Sequence, residues 1–340
     1  MRKSSCFALL SALFICLSLR LLAQQANDPV PIRYRLSDCH FHFVDFLQKT
    51  DGIKAVLEAM NRAGVDHTML CGMPLVKEWS VNEPVQPGYY LDDDARCYWY
   101  SATDVFVARE VQTLSPEDRA RVHPFICGFN GADRNAVDHV QRMLDWYPGF
   151  WEGIGEVMAR HDDLSALTYG YTSQANSVAL DPVYKLAAAH DLPVFIHSNI
   201  SSVWKRTPLY LNEMEQAVKK NPKTRFVWCH AGVSRRIDVP TLTTEIRRML
   251  KTYHNLSIDL SWVVFDTYLY KDNKVADDWV SVIKAFPDRF MIGSDIVGHF
   301  ATYAPTVQRY YALLDALKPE TAQKVARDNF LAILPKKAAK

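Results

Sequence analysis

Asp38-Cys39-His40-Phe41-His42 spans the end of the first strand-like run past residue 30, residues 35–40. Two histidines separated by one residue would point to the same side of a strand, so both imidazoles could converge on one ion. By itself the pair is weak, because a chain with 11 histidines produces such a spacing by chance. It gains weight from the rest of the chain. Seven further short apolar runs, at 67–71, 123–128, 151–157, 193–197, 225–230, 256–259 and 290–294, read as strands. Most are continuous rather than alternating, as expected for parallel strands covered on both faces. Amphipathic stretches at 53–63, 136–147, 182–190, 211–221, 242–253, 280–286, 307–317 and 319–334 read as helices, with Asp181 capping the one that opens at Pro182. Eight strands alternating with helices predict an α/β chain folded as a (β/α)8 TIM barrel over residues 30–335. A doubly wound sheet is the competing arrangement, but no glycine-rich fingerprint follows the first strand.

Metal-type residues recur at the ends of these runs. Glu156 ends the fourth, in Gly153-Ile154-Gly155-Glu156-Val157, and His197 ends the fifth, in Pro193-Val194-Phe195-Ile196-His197. His230 ends the sixth, in Trp228-Cys229-His230-Ala231-Gly232, and Asp295 follows the eighth, in Gly293-Ser294-Asp295. In a barrel the C-terminal ends of the strands open onto the catalytic face. Lone carboxylates and charged imidazoles in apolar surroundings are costly, and six of them at one rim cost far less if they share a cation. Six independently satisfied polar residues would require six separate coincidences.

On these residues the chain resembles the amidohydrolase superfamily: a His-x-His pair on strand one, a carboxylate on strand four, histidines on strands five and six, and an aspartate on strand eight. The Ile-His-Ser, Cys-His-Ala-Gly and Gly-Ser-Asp contexts look most like the branch that contains lactonases and metal-dependent decarboxylases. The resemblance implies that His40, His42 and Asp295 bind a metal and that His197 is a ligand in a one-ion or a two-ion site. Glu156 bridges if two ions are held, and His230 then binds the second; with one ion His230 contacts substrate or shuttles a proton. Imidazole and carboxylate ligands without a thiolate suit Zn²⁺, with Mn²⁺ the rival. Such an ion lowers the pKa of bound water to roughly 7. Asp295 would take the water's proton and His230 would stabilise the oxyanion. The activity implied is hydrolysis of a small carboxylic ester, lactone or amide, with a non-oxidative decarboxylase or hydratase as the alternative.

Two connections are long, 74–104 after strand two and 158–180 after strand four, so both belong to the catalytic face. The first holds four tyrosines and two tryptophans and reads as a lid. Arg235 could fork onto a substrate carboxylate, Trp262 could wall the cavity, and Arg160 reaches the same face from the second connection. Asp38 either faces outward or supports a ligand.

Residues 1–23 read separately from the rest. Arg2 and Lys3 precede an apolar run from Phe7 to Leu19, and a small residue, Ala23, precedes Gln24. That pattern predicts a secretory signal peptide, and the run is short for a membrane span, which needs about 20 apolar residues. An exported protein, periplasmic or secreted, with no stable membrane anchor after removal of the leader, is the expectation. Five cysteines remain past the leader, with no CxxC spacing, and read as buried free thiols. The chain of 340 residues is 49% hydrophobic and 23% charged, which excludes a disordered protein. Its net charge of +1 offers nothing to nucleic acid. A small-molecule substrate is expected, and a homo-oligomer is left open.

Overall fold

Leu36–Asp38 is the first of eight parallel strands in the computed structural model, which describes residues 31–336. The others are Val65–Leu70 (β2), Val122–Ile126 (β3), Gly153–Met158 (β4), Val194–His197 (β5), Phe226–Trp228 (β6), Leu256–Asp259 (β7) and Phe290–Met291 (β8). Each pairs with the next, in chain order, from β1 to β8. The ring closes where Cys39 N donates to Ile292 O at 3.1 Å and Asp295 N to His40 O at 2.8 Å. Beyond this junction Phe41–His42 and Ile296–Val297 pair in parallel, carrying β1 and β8 further towards the catalytic end. The fold is a (β/α)8 barrel.

Alternation along the strands sorts side chains into two layers. Met69, Phe125, Phe195, Val227 and Met291 fill the barrel interior with the thiols of Cys39, Cys71, Cys127 and Cys229. Phe330, Ile333 and Leu334 from the C-terminal helix Asn329–Ile333 and its end plug the floor. Ile126, Ile154, Ile196, Trp228 and Ile258 face the other way and pack in the layer shared with the helices. All five described cysteines are buried and free.

The longer helices are Ile53–Ala63 (α1), Thr103–Val111 (α2), Ala136–Trp146 (α3), Leu180–Ala189 (α4), Leu211–Lys220 (α5), Leu242–Thr252 (α6) and Asp277–Ala285 (α7), and shorter ones include Tyr303–Gln308 and Tyr311–Asp315. Helix α2 is not anticipated by sequence pattern: Thr103, Val105, Val107 and Val111 are β-branched and favour strands when read locally. Tertiary bonds override that preference. Thr103 Oγ1 accepts Met73 N at 2.9 Å, and the buried Asp104 carboxylate accepts Cys127 N and Gly128 N at 2.9 and 3.0 Å. Asp181 is not a cap either; α4 begins one residue earlier, and the carboxylate turns to Lys220 and Asn221.

Both long connections are folded. Leu75–Lys77 pairs antiparallel with Cys97–Trp99, and the buried Lys77 ammonium ties the intervening loop by donating to the carbonyls of Tyr90, Asp93 and Ala95. The second connection is joined to the first where Tyr169 N donates to Cys97 O and Tyr169 Oη to Glu78. The expected leader, residues 1–23, lies outside the described residues. No helix of the described residues is long and apolar enough to cross a membrane.

Candidate functional site

Six side chains from the strand ends meet at the mouth of the barrel, and four are turned inward by a local irregularity. Cys39 lies in the interior layer and Phe41 in the outer one, so a regular strand would not place both there; the interruption of β1 brings His40 and His42 together. In β4 the register shifts between Ile154 and Val157, aiming Glu156 at the axis. Gly155 permits this: its φ is +143°, and a Cβ would stand 2.6 Å from Phe195 O. His230 follows the inward Cys229, and left-handed backbone at His230 and Ala231 (φ +52° for both) rotates its ring back over the site. Asp295 has φ +54° for the same purpose. Only His42 and His197 need no such device.

The donor atoms are close. His40 Nε2 and His42 Nε2 are 3.2 Å apart, and Asp295 Oδ1 is 3.4 Å from each. Glu156 Oε2 lies 3.6 Å from His40 Nε2 and 3.4 Å from His42 Nε2. Its other oxygen, Oε1, is 3.0 Å from His197 Nδ1 and 3.2 Å from His230 Nε2. Glu156 therefore stands between two pairs of imidazoles, one at each oxygen.

Hydrogen bonds on the far side of each ring fix the tautomers. His40 Nδ1 faces Asp259 Oδ2 at 2.8 Å and His42 Nδ1 faces Gly72 O at 2.7 Å; both partners only accept, so both rings carry the proton on Nδ1. Ser261 Oγ donates to Asp259 Oδ2 and must accept from His230 Nδ1 at 2.8 Å. Asn199 Nδ2 donates to Asp162, so its Oδ1 accepts from His197 Nε2 at 3.0 Å. Each of the four neutral rings thus aims a lone pair at a carboxylate or at another lone pair. That arrangement is repulsive unless positive charge lies between. Burial opposes a charged His40, yet the charges of Glu156 and Asp295 hold its pKa well above the ordinary imidazole range. Burial likewise opposes the Glu156 carboxylate, and positive charge at His40, with the close approach of the His197 and His230 rings, keeps its pKa well below the usual range.

A cation fits the same geometry. An ion held tetrahedrally at about 2.0–2.1 Å needs donors about 3.3–3.4 Å apart, and five of the six separations among His40, His42, Asp295 and Glu156 Oε2 run from 3.2 to 3.6 Å. The site opens on a cavity of about 180 Å³ lined by Phe46, Met73, Tyr89, Tyr90, Leu164 and Trp262 besides the cluster. Among the described residues no lysine or arginine lines it.

Trp262 thus stands where expected, its ring 5.1 Å from that of His230. The two arginines do not. Arg160 is held bidentately by Glu213 (3.0 and 2.7 Å) and lies over the Tyr210 ring at 3.9 Å. Arg235 donates to Asp163 at 2.8 Å and to Tyr90 Oη at 2.6 Å, behind the aromatic wall. Both serve to lock the loops, since each finds a carboxylate partner within the protein.

Several supports escape a reading of the sequence. Asp259 orients His40 from inside β7, and its carboxyl stays ionised down to about 2: burial would raise it, but the His40 hydrogen bond and charge outweigh that. Asp38 is buried, not outward: Oδ1 accepts His40 N at 3.0 Å and Ser294 N at 2.9 Å, pinning both halves of the junction. Burial pushes its pKa up to about 6. His161, from the second long connection, stacks on His197 at 4.6 Å. Only the aspartate two residues before His40 carries a visible signal.

Comparison with solved structures returns barrels of this type. An amidohydrolase from Burkholderia multivorans with bound zinc aligns with a TM-score of 0.54 at 14% identity, over 88% of this chain and 98% of that one. An uncharacterized TIM-barrel protein from Bordetella bronchiseptica gives 0.53 at 15% identity, over 88% and 99%. Dihydroorotase from Campylobacter jejuni gives 0.51 at 17% identity, over 88% and 82%. At such identities the likeness shows the fold alone. A comparison with curated proteins finds no match. The amidohydrolase family model matches residues 37–335, and the chain belongs to that family.

Proposed function

We propose that the protein is an exported metal-dependent hydrolase that directs an activated water at a small carboxylic ester, lactone or amide. The observation that carries this reading is the set of opposed lone pairs. Four imidazoles with their outer nitrogens protonated surround one carboxylate with nothing to share. His40, His42, Asp295 and Glu156 Oε2 would hold one divalent ion, and His197, His230 and Glu156 Oε1 a second, with Glu156 as bridge. Zinc suits nitrogen and oxygen donors of this number, with manganese the rival, and the Burkholderia multivorans relative contains zinc. When bound, the metal supplies a hydroxide at neutral pH and polarises the carbonyl under attack.

The chain's own residues do the rest. Asp295 is the general base, taking the proton of the attacking water and returning it to the leaving oxygen or nitrogen. Trp262, Phe46 and the paired Tyr89 and Tyr90 exclude bulk water from the cavity and suit an apolar or aromatic substrate. Without a lysine or arginine in the lining among the described residues, a free carboxylate of a substrate would find its positive partner only at the metal centre. Export rests on residues 1–23, whose basic start and short apolar run read as a leader.

Turnover of an aryl lactone in ¹⁸O-labelled water tests the reaction. The hydroxy acid released should carry one solvent oxygen in its carboxyl group. Asp295→Asn should keep its metal and lose about 10²–10⁴ in turnover, the usual contribution of a general base. Aromatic acids decarboxylated to unlabelled product, with the lactone untouched, would replace the hydrolase with a lyase.

A further inference from the structure

His161 takes no part in the ligand cluster at the barrel mouth, yet its hydrogen bonds determine which of its nitrogens holds the proton. The backbone N–H groups of Asp163 and Leu164 both point at His161 Nδ1, each at 3.1 Å. A ring nitrogen that accepts two donors presents its lone pair there, so the neutral ring carries its proton on Nε2. That nitrogen has no hydrogen-bond partner among the described residues and is not sealed off, although the residue is only 4% exposed. Its ring lines the same cavity as His42, Glu156 and Asp295. Rotation is restricted, because the ring is stacked on His197 with an interplanar angle of 25° and Trp262 stands 6.0 Å away. A ring flip would also leave the N–H groups of Asp163 and Leu164 facing carbon.

The described neighbours offer no other taker for the proton. Tyr90 meets the His161 ring edge-on at 6.2 Å, and its hydroxyl is occupied by Arg235. Asp162, the next residue, is turned to Ser234 and Asn199. A ligand oxygen on this side of the cavity would give that N–H the partner the protein does not supply. The connection that holds His161 is itself fixed, since Asp163 binds Arg235 and Arg236 and Asp162 binds Arg236.

We propose that His161 is a substrate-contacting residue: its Nε2–H is a fixed, uncharged donor to an oxygen of the bound substrate on the His197–Trp262 side of the cavity. The inference rests on the hydrolase reading only for the nature of that oxygen, an ester or lactone oxygen or the phenol released from it. No proton is transferred by this contact; it orients the substrate and stabilises charge that builds on the oxygen.

The test uses zinc-loaded protein, ¹⁵N-histidine labelling and 3-(2-hydroxyphenyl)propanoate, the hydrolysis product of dihydrocoumarin. Long-range ¹H–¹⁵N correlation of the free protein, assigned by the signal lost in His161→Gln, should show His161 as the Nε2–H tautomer. Saturation with the probe should move that proton downfield. His161→Phe keeps a flat ring and cannot donate; its affinity for the probe should fall about tenfold, the equivalent of one hydrogen bond, at unchanged zinc content. His161→Gln offers an amide oxygen to the two backbone N–H groups and an amide N–H to the ligand, and should recover most of that loss. A Nδ1–H or doubly protonated ring in the free protein, a probe that fails to bind or to move the proton, or equal affinity in His161→Phe would each overturn the proposal. Two further outcomes separate it from the hydrolase reading. Binding with the proton shift but no turnover of dihydrocoumarin would sink the lactone activity and leave this contact standing. Undiminished turnover in His161→Phe would do the reverse.

Discussion

Among the described residues two pairs of histidines meet nitrogen to nitrogen, one at each rim of the barrel, and their chemistry differs although their distances do not. At the mouth His40 Nε2 meets His42 Nε2 at 3.2 Å; at the opposite rim His67 Nδ1 meets His123 Nε2 at 3.1 Å. The lower pair forms a chain that a single set of protons satisfies. His123 Nδ1 faces Glu152 Oε2 at 2.7 Å and must donate, so its Nε2 accepts the Nδ1–H of His67, and Arg119 balances Glu152 from 3.0 Å. The upper pair cannot be closed that way, because Asp259 and the Gly72 carbonyl have already claimed both Nδ1 protons. Proximity of histidines and carboxylates is therefore not what marks a metal site. The direction of the outer hydrogen bonds is. The lower cluster sits near the N-terminal ends of β2 and β3, the face of such barrels that serves stability, and Phe330 packs edge-on against His123 there.

Changing the outer acceptors should sharpen this contrast. Asp259→Asn removes the charge that makes His40 a basic donor, and loss of such a partner lowers metal affinity by about 10–100-fold. Competition with a coloured chelator should show that loss. Glu152→Gln, the matching change at the lower rim, should leave the competition curve within about twofold of the parent protein, since no ion depends on it. Equal losses in both variants would erase the distinction between the rims.

The contrast also explains what the sequence does and does not disclose. Glu156, His197, His230 and Asp295 are visible because each ends an apolar run, and the position of a strand end in a barrel is fixed by the fold. How His40, Glu156, His230 and Asp295 turn inward is not visible. It depends on a strand interruption, a bulge and two left-handed turns of the backbone, which have no periodicity to read. Asp259 reads only as the end of the seventh strand, since its role comes from a partner 219 residues away. Arg160 and Arg235 read as facing substrate because loop partners cannot be paired from one sequence; Glu213 and Asp163 claim them. His161 lies in the same blind region. Helix α2 is hidden for a different reason, the preference of its β-branched residues being overridden by the bonds to Thr103 and Asp104.

A smaller effect concerns acid. Burial, then the electrostatic effect of the neighbouring His123 ring, holds the His67 imidazole down to about 4, below the roughly 6.5 it takes in the unfolded chain. The unfolded state therefore binds the proton first as the pH drops. The contribution of His67 to stability is complete above about 6.5 and is lost as the pH falls towards 4. Urea melts at a series of pH values should show stability falling across that window, and His67→Gln should flatten the fall. An unchanged slope in the variant would mean that another group governs it.

Metal analysis after zinc saturation and gel filtration, on the parent chain beside two double variants, tests the distinction between the rims most directly. The parent should retain two ions per chain, and the His67→Ala, His123→Ala protein should retain the same number with a lower urea midpoint. The His40→Ala, His42→Ala protein should remain folded and lose the ion that these two residues share with Asp295. Full zinc in that last variant, or none in the parent, would show that the four opposed imidazoles are satisfied in some other way and that the mouth of the barrel is not a metal centre.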